Sequence, residues 1–168
     1  MAKYKKSFDN KITLNNGNFQ KILDFYLFRC PVEGTSFRSV GLEKYGWKGT
    51  KQFAHLKKTL LKAANSDLAS NYYPCKKDEL AEKFEKVSSV APVDEYCVFL
   101  RNEEDTVMQS LFSAIRNAFA HGSFSVRTYN KTKVYFFSNY NKYLKAEIVQ
   151  QEATLLEWIK IVEAGYSC

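Results

Sequence analysis

The sequence lacks several features that would define its class at once. No apolar run approaches the roughly 18 residues that a transmembrane helix needs, so we expect no membrane span. No apolar stretch follows the lysine-rich start, which predicts that a secretory signal is absent. The four cysteines lie too far apart for a zinc site with closely spaced ligands, and we predict free thiols in a reducing cytoplasm: Cys30, Cys75, Cys97 and Cys168.

The common nucleotide-binding and catalytic motifs are also missing. The glycine-containing stretch that ends at Lys48 is not a phosphate-binding loop, because its lysine does not directly follow the second glycine, Gly46. The sequence contains no dinucleotide-binding glycine fingerprint, nucleophile elbow or zinc-protease helix. We therefore predict neither a metal nor a cofactor.

The chain does have size, apolar content and unevenly spread positive charge. Its 168 residues are 45% hydrophobic, which predicts a single domain over residues 1–168 with its own core. The formal charge is +7; residues 44–62 carry six lysines and no acid, and residues 122–146 carry five bases and no acid. Residues 78–105 carry nine acids against three bases. Such blocks commonly solvate helix faces, but basic blocks rich in Tyr and Phe also suit a surface that binds RNA.

Hydrophobic periodicity predicts a mainly helical chain. Apolar residues recur at helical spacing in five segments: 18–28, 50–64, 77–87, 103–121 and 154–163. Residues 29–49 hold four of the seven glycines and are predicted to form a loop with one helical turn, and residues 71–74 are predicted to break the chain. After Gly122 the pattern alternates, which predicts strands at 123–129, 133–139 and 144–150. We therefore predict a helical bundle with a small antiparallel sheet inserted before the C-terminal helix.

The predicted helix at 103–121 has clear boundaries and an unusual polar face. We predict Asn102 as its N-cap, the acids at 103–105 in its first turn, and Gly122 as the left-handed residue that ends it. Arg116 and His121 stand about 140° apart around the axis, at either edge of the polar face. Basic residues in a last turn complement the helix dipole, but this does not explain why the face carries small or amide side chains: Thr106, Gln109, Ser110, Ser113, Asn117 and Ala120.

The end of this helix, Arg116-Asn117-Ala118-Phe119-Ala120-His121-Gly122, resembles the signature of the HEPN superfamily. That signature is an Arg, roughly four to six residues that often begin with Asn, and then a His. The short sheet and the Leu-Leu-Glu-Trp-Ile helix that follows are similar to small stand-alone prokaryotic members associated with phage resistance. The resemblance implies a helical bundle that homodimerises and brings two motifs into one cleft. It also implies a metal-independent endoribonuclease of toxin–antitoxin or antiphage systems, with an antitoxin or other regulatory protein as a further partner.

The chemistry of these residue types fits RNA cleavage without a metal. We assign His121 as general acid and base and Arg116 as the clamp on the phosphate. Asn117 lies on the same side of the helix as His121 and is assigned to orient His121 or the substrate. The expected products are a 2′,3′-cyclic phosphate and a 5′-OH, because the nucleophile belongs to the RNA. Substrate binding is assigned to Ser113 and to three bases of the predicted strands: Arg127, Lys131 and Lys133.

Two other functions stay open. Some members of the superfamily act as binding or scaffolding modules, so a non-catalytic RNA- or nucleotide-binding regulator is the main alternative. A protein-interaction module is the third, and the basic blocks favour the first two over it. The second histidine, His55, lies on a lysine-rich helix and is predicted to be an ordinary surface or boundary residue.

Overall fold

A five-stranded mixed sheet organises the fold. The structure, a computed structural model, describes residues 16–167. The strands stand in the order β1-β2-β5-β4-β3, with β1 and β2 parallel and the other neighbours antiparallel. Their bounds are β1 (Tyr72–Cys75), β2 (Tyr96–Leu100), β3 (Phe124–Tyr129), β4 (Thr132–Asn141) and β5 (Tyr143–Gln151).

The predicted helices are confirmed to within a few residues. The α-helices are α1 (Gly17–Leu23), α2 (Gly49–Ala63), α3 (Leu80–Val87), α4 (Val107–Ala120) and α5 (Glu152–Ala164). A π-helical turn at Asp24–Phe28 continues α1, and a 3₁₀ turn at Leu42–Tyr45 is the single helical turn expected in the long loop. Within residues 16–167, no helix has the length and apolar character required to cross a membrane.

The predicted fold class, a mainly helical bundle with a small inserted sheet, is wrong, because the chain has an α/β fold. The three strands predicted after Gly122 are present, but two further strands, β1 and β2, extend the sheet. Strand β2 lies between β1 and β5, and its Val98 and Phe99 are fully buried. The predicted break at 71–74 is therefore mostly strand: Pro74 is tolerated because β1 is an edge strand, where one missing N–H disturbs no ladder.

Helices pack against one face of the sheet. Phe25, Tyr26, Phe112 and Trp158 are fully buried in the larger apolar cluster on this face. Burying a side chain of this size contributes roughly 1.5–3 kcal/mol. Tyr26 Oη and Trp158 Nε1 each donate a hydrogen bond of 2.8 Å to a backbone carbonyl, so their polar atoms are not left unpaired inside the cluster.

Among residues 16–167, helices cover the opposite face only in part. Helix α3 packs chiefly against β1 and β2, where Leu80 and Val87 join Val98 in a smaller apolar cluster. Across β3 and β4 the same face remains half-exposed, for example at Phe136 and Arg127. We call this half-exposed part the open face.

The cysteines of the described chain are free, as predicted. Cys30, Cys75 and Cys97 are buried thiols, and Cys168 lies outside the described residues. Burial raises the pKa of the Cys30 thiol to about 11, so this side chain is neutral at physiological pH.

We predict that Phe99→Ala lowers the free energy of unfolding by about 3–5 kcal/mol. Phe99 is fully buried in β2, and its ring centroid lies 5.6 Å from that of Tyr72 in β1. Urea unfolding measures the effect, with Tyr140→Ala as the control because Tyr140 is exposed and should change stability by less than about 0.5 kcal/mol. Equal effects of the two substitutions would contradict the position of β2 inside the sheet.

Candidate functional site

Helix α4 carries the motif, and its start differs from the prediction. Thr106, rather than Asn102, is the N-cap: its Oγ1 accepts a hydrogen bond of 3.2 Å from the Gln109 N–H. In return, Gln109 Oε1 accepts a hydrogen bond of 2.8 Å from the Thr106 N–H. This reciprocal capping box begins the helix after the acids at 103–105. Its first turn therefore holds no acid.

The end of α4 agrees with the prediction. The His121 N–H donates to the Asn117 carbonyl at 3.0 Å, and Gly122 has the left-handed φ of 63°. The Ser123 N–H then donates back to the Ala118 carbonyl at 2.8 Å, which closes the helix end and directs the chain into β3. His121 is thereby placed at the corner between helix and sheet, and its side chain is exposed.

Arg116 is the side chain of α4 that most requires a partner outside the fold. It is half-buried, and its Nε is buried without a hydrogen-bond partner in the described part of the chain. No carboxylate among residues 16–167 lies within the 4.0 Å of an ion pair with it. Because a half-buried charge is costly when unpaired, Arg116 is suited to bind an anion such as a phosphate.

Asn117 contacts Arg116 rather than the imidazole of His121. Asn117 Oδ1 accepts a hydrogen bond of 3.1 Å from Arg116 Nη1. Its backbone carbonyl accepts from the His121 N–H, as described above, but no side-chain hydrogen bond joins the two residues in the described structure. The geometry therefore gives Asn117 the position of a residue that holds the arginine fork.

The long loop after α1 reaches the same part of α4. Cys30 Sγ lies 3.8 Å from the Phe112 carbonyl, one turn before Arg116. Burial raises the pKa of the Cys30 thiol, and the positive charge of Arg116 lowers it in part. The Arg116 guanidinium therefore lies close to this loop. The loop also carries Phe37, an apolar side chain that is fully exposed.

The small polar face of α4 is closed at Ser110 and accessible further along the helix. Ser110 is buried, and its Oγ accepts a hydrogen bond of 3.2 Å from the Asn102 N–H, so it offers no free surface. Ser113 and Asn117 are half-exposed, and Ala120 is exposed. Ser113 thus remains accessible on the side of the helix where the motif lies.

The predicted substrate-binding bases do not gather around the motif. Arg127 lies on β3, with its guanidinium 5.5 Å from the ring centroid of Phe136 on β4. Lys131 lies in the turn that joins β3 to β4, and the length of β3 places it about 20 Å from the His121 corner. Lys133 and Lys131 line a separate pocket at that end. Neither lysine can therefore contact the same phosphate as Arg116.

A pocket next to the motif was missed by the sequence analysis. It has a volume of about 180 Å³ and lies on the open face, where its lining includes Ser123, Ser125, Phe136, Ser138 and Glu147. Ser123 follows directly after the Gly122 turn. Small serines in two neighbouring strands leave a depression between the larger Phe136 and Glu147 side chains. The alternating Ser123-Phe124-Ser125 was the available signal, but the strand register was needed to bring it next to Ser138.

The other histidine is a surface residue, as predicted. His55 is exposed on α2, and its ring centroid lies 6.3 Å from that of Trp47 and 5.4 Å from that of Tyr166. Its ring contacts are with Trp47 and Tyr166, so it provides a control for substitutions of His121.

We predict that Gly122→Ala lowers the free energy of unfolding by about 1–2 kcal/mol, because the left-handed backbone is unfavourable for a residue with a Cβ. A Cβ at this position would meet no atom within 4 Å, so the cost is purely conformational. Gly17→Ala is the matched control: its Cβ also meets no atom within 4 Å, and its φ is not positive. Thermal or urea unfolding compares them, and equal effects would contradict the left-handed helix end.

Comparison with known proteins adds no relative to this picture. No protein-family model, curated protein or solved structure matches the chain. Residues 16–167 also contain no group of three or more His, Cys, Asp or Glu side chains that could hold a metal ion. The functional assignment therefore depends on the residues of this chain alone.

Proposed function

We propose that this chain is a metal-independent endoribonuclease in which Arg116 and His121 act on one phosphodiester. The observation that carries the proposal is the half-buried Arg116 guanidinium, with its unpartnered Nε and no carboxylate beside it among residues 16–167. It lies near the end of the same helix as the exposed His121. An anion-binding fork and a group that transfers protons near neutral pH are the functions that RNA cleavage requires.

In the proposed reaction the RNA supplies its own nucleophile. His121 removes the proton of the 2′-OH, and the resulting oxygen attacks the adjacent phosphorus. Arg116 binds the non-bridging oxygens and stabilises their increased charge, while Asn117 keeps the fork in place through Nη1. The bond to the 5′-oxygen breaks and this oxygen takes up a proton. The products are a 2′,3′-cyclic phosphate and a 5′-OH.

A homodimer supplies the second proton-transfer group. One imidazole accepts the proton of the 2′-OH, and a second returns a proton to the leaving oxygen. The other histidine of the chain, His55, lies on α2 and stacks on the Trp47 ring. We therefore assign protonation of the leaving oxygen to His121 of a second copy of the chain. The surface that we assign to the dimer contact consists of exposed apolar side chains in the π-helical turn and the loop that follows it: Phe28, Phe37 and Val40.

The biological setting is proposed from the motif alone. Residues 116–122 resemble the HEPN motif, although the helical bundle expected with it is replaced by an α/β fold. We propose a cytoplasmic effector of a toxin–antitoxin or antiphage system, held in check by an antitoxin or other regulatory protein. The buried free thiols agree with a reducing compartment.

A non-catalytic RNA- or nucleotide-binding regulator is the second candidate. It is favoured by one observation: the Asn117 side chain holds Arg116, so it does not orient the imidazole of His121. Without such a partner His121 can serve as a contact to bound RNA. Both candidates use Arg116 to bind a phosphate, and only cleavage separates them.

Incubation with total RNA in EDTA tests the proposed activity. We expect cleavage with 2′,3′-cyclic phosphate ends, and a loss of about 10²–10⁴-fold in rate for His121→Ala. His55→Ala is the matched control and should cleave like the unchanged protein. Sequencing of the fragment ends measures both site and chemistry. Cleavage by His121→Ala at the full rate would overturn the assignment, and binding without cleavage by any variant would favour the regulator.

We predict that Phe37→Ser weakens the dimer and lowers cleavage at low protein concentration, because it removes exposed apolar surface from the loop that contacts α4 through Cys30. Sedimentation velocity across a concentration series measures the dimer. Tyr140→Ser is the control, since Tyr140 is also exposed but lies on β4. A monomeric unchanged protein that cleaves RNA would contradict the shared site.

A further inference from the structure

Helix α2 carries a row of basic side chains along its exposed side. Its members recur at helical spacing and are all exposed: Lys51, His55, Lys58 and Lys62. At about 100° per residue they lie within about 60° of one another around the axis, and they extend along it for about 16 Å. Leu56 and Leu60, on the other side of the helix, are buried in the larger apolar cluster. We call the three lysines of this exposed side the lysine row.

The charges of the lysine row are not neutralised within the described part of the chain. None of the three lysines forms an ion pair within residues 16–167, and residues 44–62 contain no acid. Lys44 and Lys48, just before α2, are exposed and likewise without an ion pair there. Lys58 and Lys62 are four residues apart, a spacing at which like charges destabilise a helix. A bound polyanion would relieve this repulsion.

The neighbouring helix supplies no counter-charge to the lysine row. Helix α5 packs against α2, but its acids have partners elsewhere. Glu157 forms an ion pair of 2.9 Å with Lys160 on its own helix, and Glu163 forms one of 3.1 Å with Arg29. Glu152 accepts hydrogen bonds from two side chains outside α2. The row therefore remains a positive surface in the folded chain.

A nucleic-acid backbone fits this surface better than a membrane does. A helix that lies on a membrane inserts its apolar side between the lipids, whereas the apolar side of α2 is occupied by the core through Leu56 and Leu60. Lysine binds a phosphate as a point charge. The phosphates of a nucleic-acid strand themselves form a row of like charges, which matches a row of lysines along a straight helix.

We infer that the lysine row binds the phosphate backbone of single-stranded RNA, as a second contact outside the proposed cleavage site. Lys57, on another side of α2, lines a pocket with Met108 at the start of α4, whereas His121 lies at the end of α4. The inference rests on the proposed function in taking RNA as the polyanion. Because lysines of this kind contact phosphates and not base edges, the row adds affinity without a sequence preference.

Binding by the His121→Ala protein tests the lysine row while the RNA stays intact. The probes are fluorescein-labelled oligouridylate and oligocytidylate. The variant combines Lys51→Gln, Lys58→Gln and Lys62→Gln in this background, since glutamine and lysine have similar helix propensities. We expect it to bind both probes at least about tenfold more weakly in about 0.1 M salt. The slope of log K against log salt should fall by about 2, because each phosphate contact on a single strand contributes about 0.7.

A second triple variant with the same change in net charge is the control. It replaces by glutamine three exposed lysines outside α2 that form no ion pair within residues 16–167: Lys21, Lys76 and Lys142. We expect it to weaken binding by less than about threefold and to leave the salt slope nearly unchanged, because it alters only the long-range attraction. Thermal unfolding shows whether each variant is folded.

The outcomes separate this inference from the nuclease proposal. Equal weakening by the two triple variants would show that only net charge acts and would overturn the lysine row, as would failure of the His121→Ala protein to bind either probe. RNA binding that survives the row variant, with binding to vesicles of equal parts phosphatidylcholine and phosphatidylserine lost, would assign the row to a membrane instead. Selective loss of RNA binding by the row variant would support the inference even if the unchanged protein cleaves no RNA, and then only the nuclease proposal fails.

Discussion

The left-handed turn at Gly122 is the constraint on which the site depends. Three backbone hydrogen bonds close the end of α4 there, and the chain passes directly into β3. This turn places His121 at the outer corner and Ser123 in the pocket of the open face. Arg116, one and a half turns earlier, is set by the same helix. A helix that continued past this point would separate these groups, so the geometry of one glycine joins the motif to the sheet.

Two half-buried charges of opposite sign flank that turn, and neither forms an ion pair within residues 16–167. Leaving such groups unpaired reduces the stability of a fold, and both Arg116 and Glu147 are instead held by a single neutral neighbour. The Arg116 guanidinium has the chemistry of an anion-binding group. The net charge of +7 adds long-range attraction to a polyanion without defining the site, and Lys131 and Lys133 contribute only to this attraction.

The sequence predicted local structure well and long-range structure poorly. Periodicity located the helices, the three late strands and the helix end at Gly122, because each depends on neighbouring residues. It missed β2, since a short continuous apolar run fits a buried strand or a buried helix equally. It missed the pocket because Tyr96 reaches Glu147 across 51 residues of sequence, and only the β2–β5 register brings them together. The sequence showed the motif residues, but only the structure shows that Arg116 Nε has no hydrogen-bond partner among residues 16–167.

The central claim is that the RNA's own 2′-OH attacks the phosphate held by Arg116. The most direct measurement is cleavage of a short RNA at its mapped site after one 2′-deoxy nucleotide replaces the ribonucleotide on the 5′ side of the cut. The account predicts that cleavage at this bond disappears while binding of the oligonucleotide is retained. Continued cleavage of the same bond would show that water or a protein group is the nucleophile and would contradict the proposed mechanism.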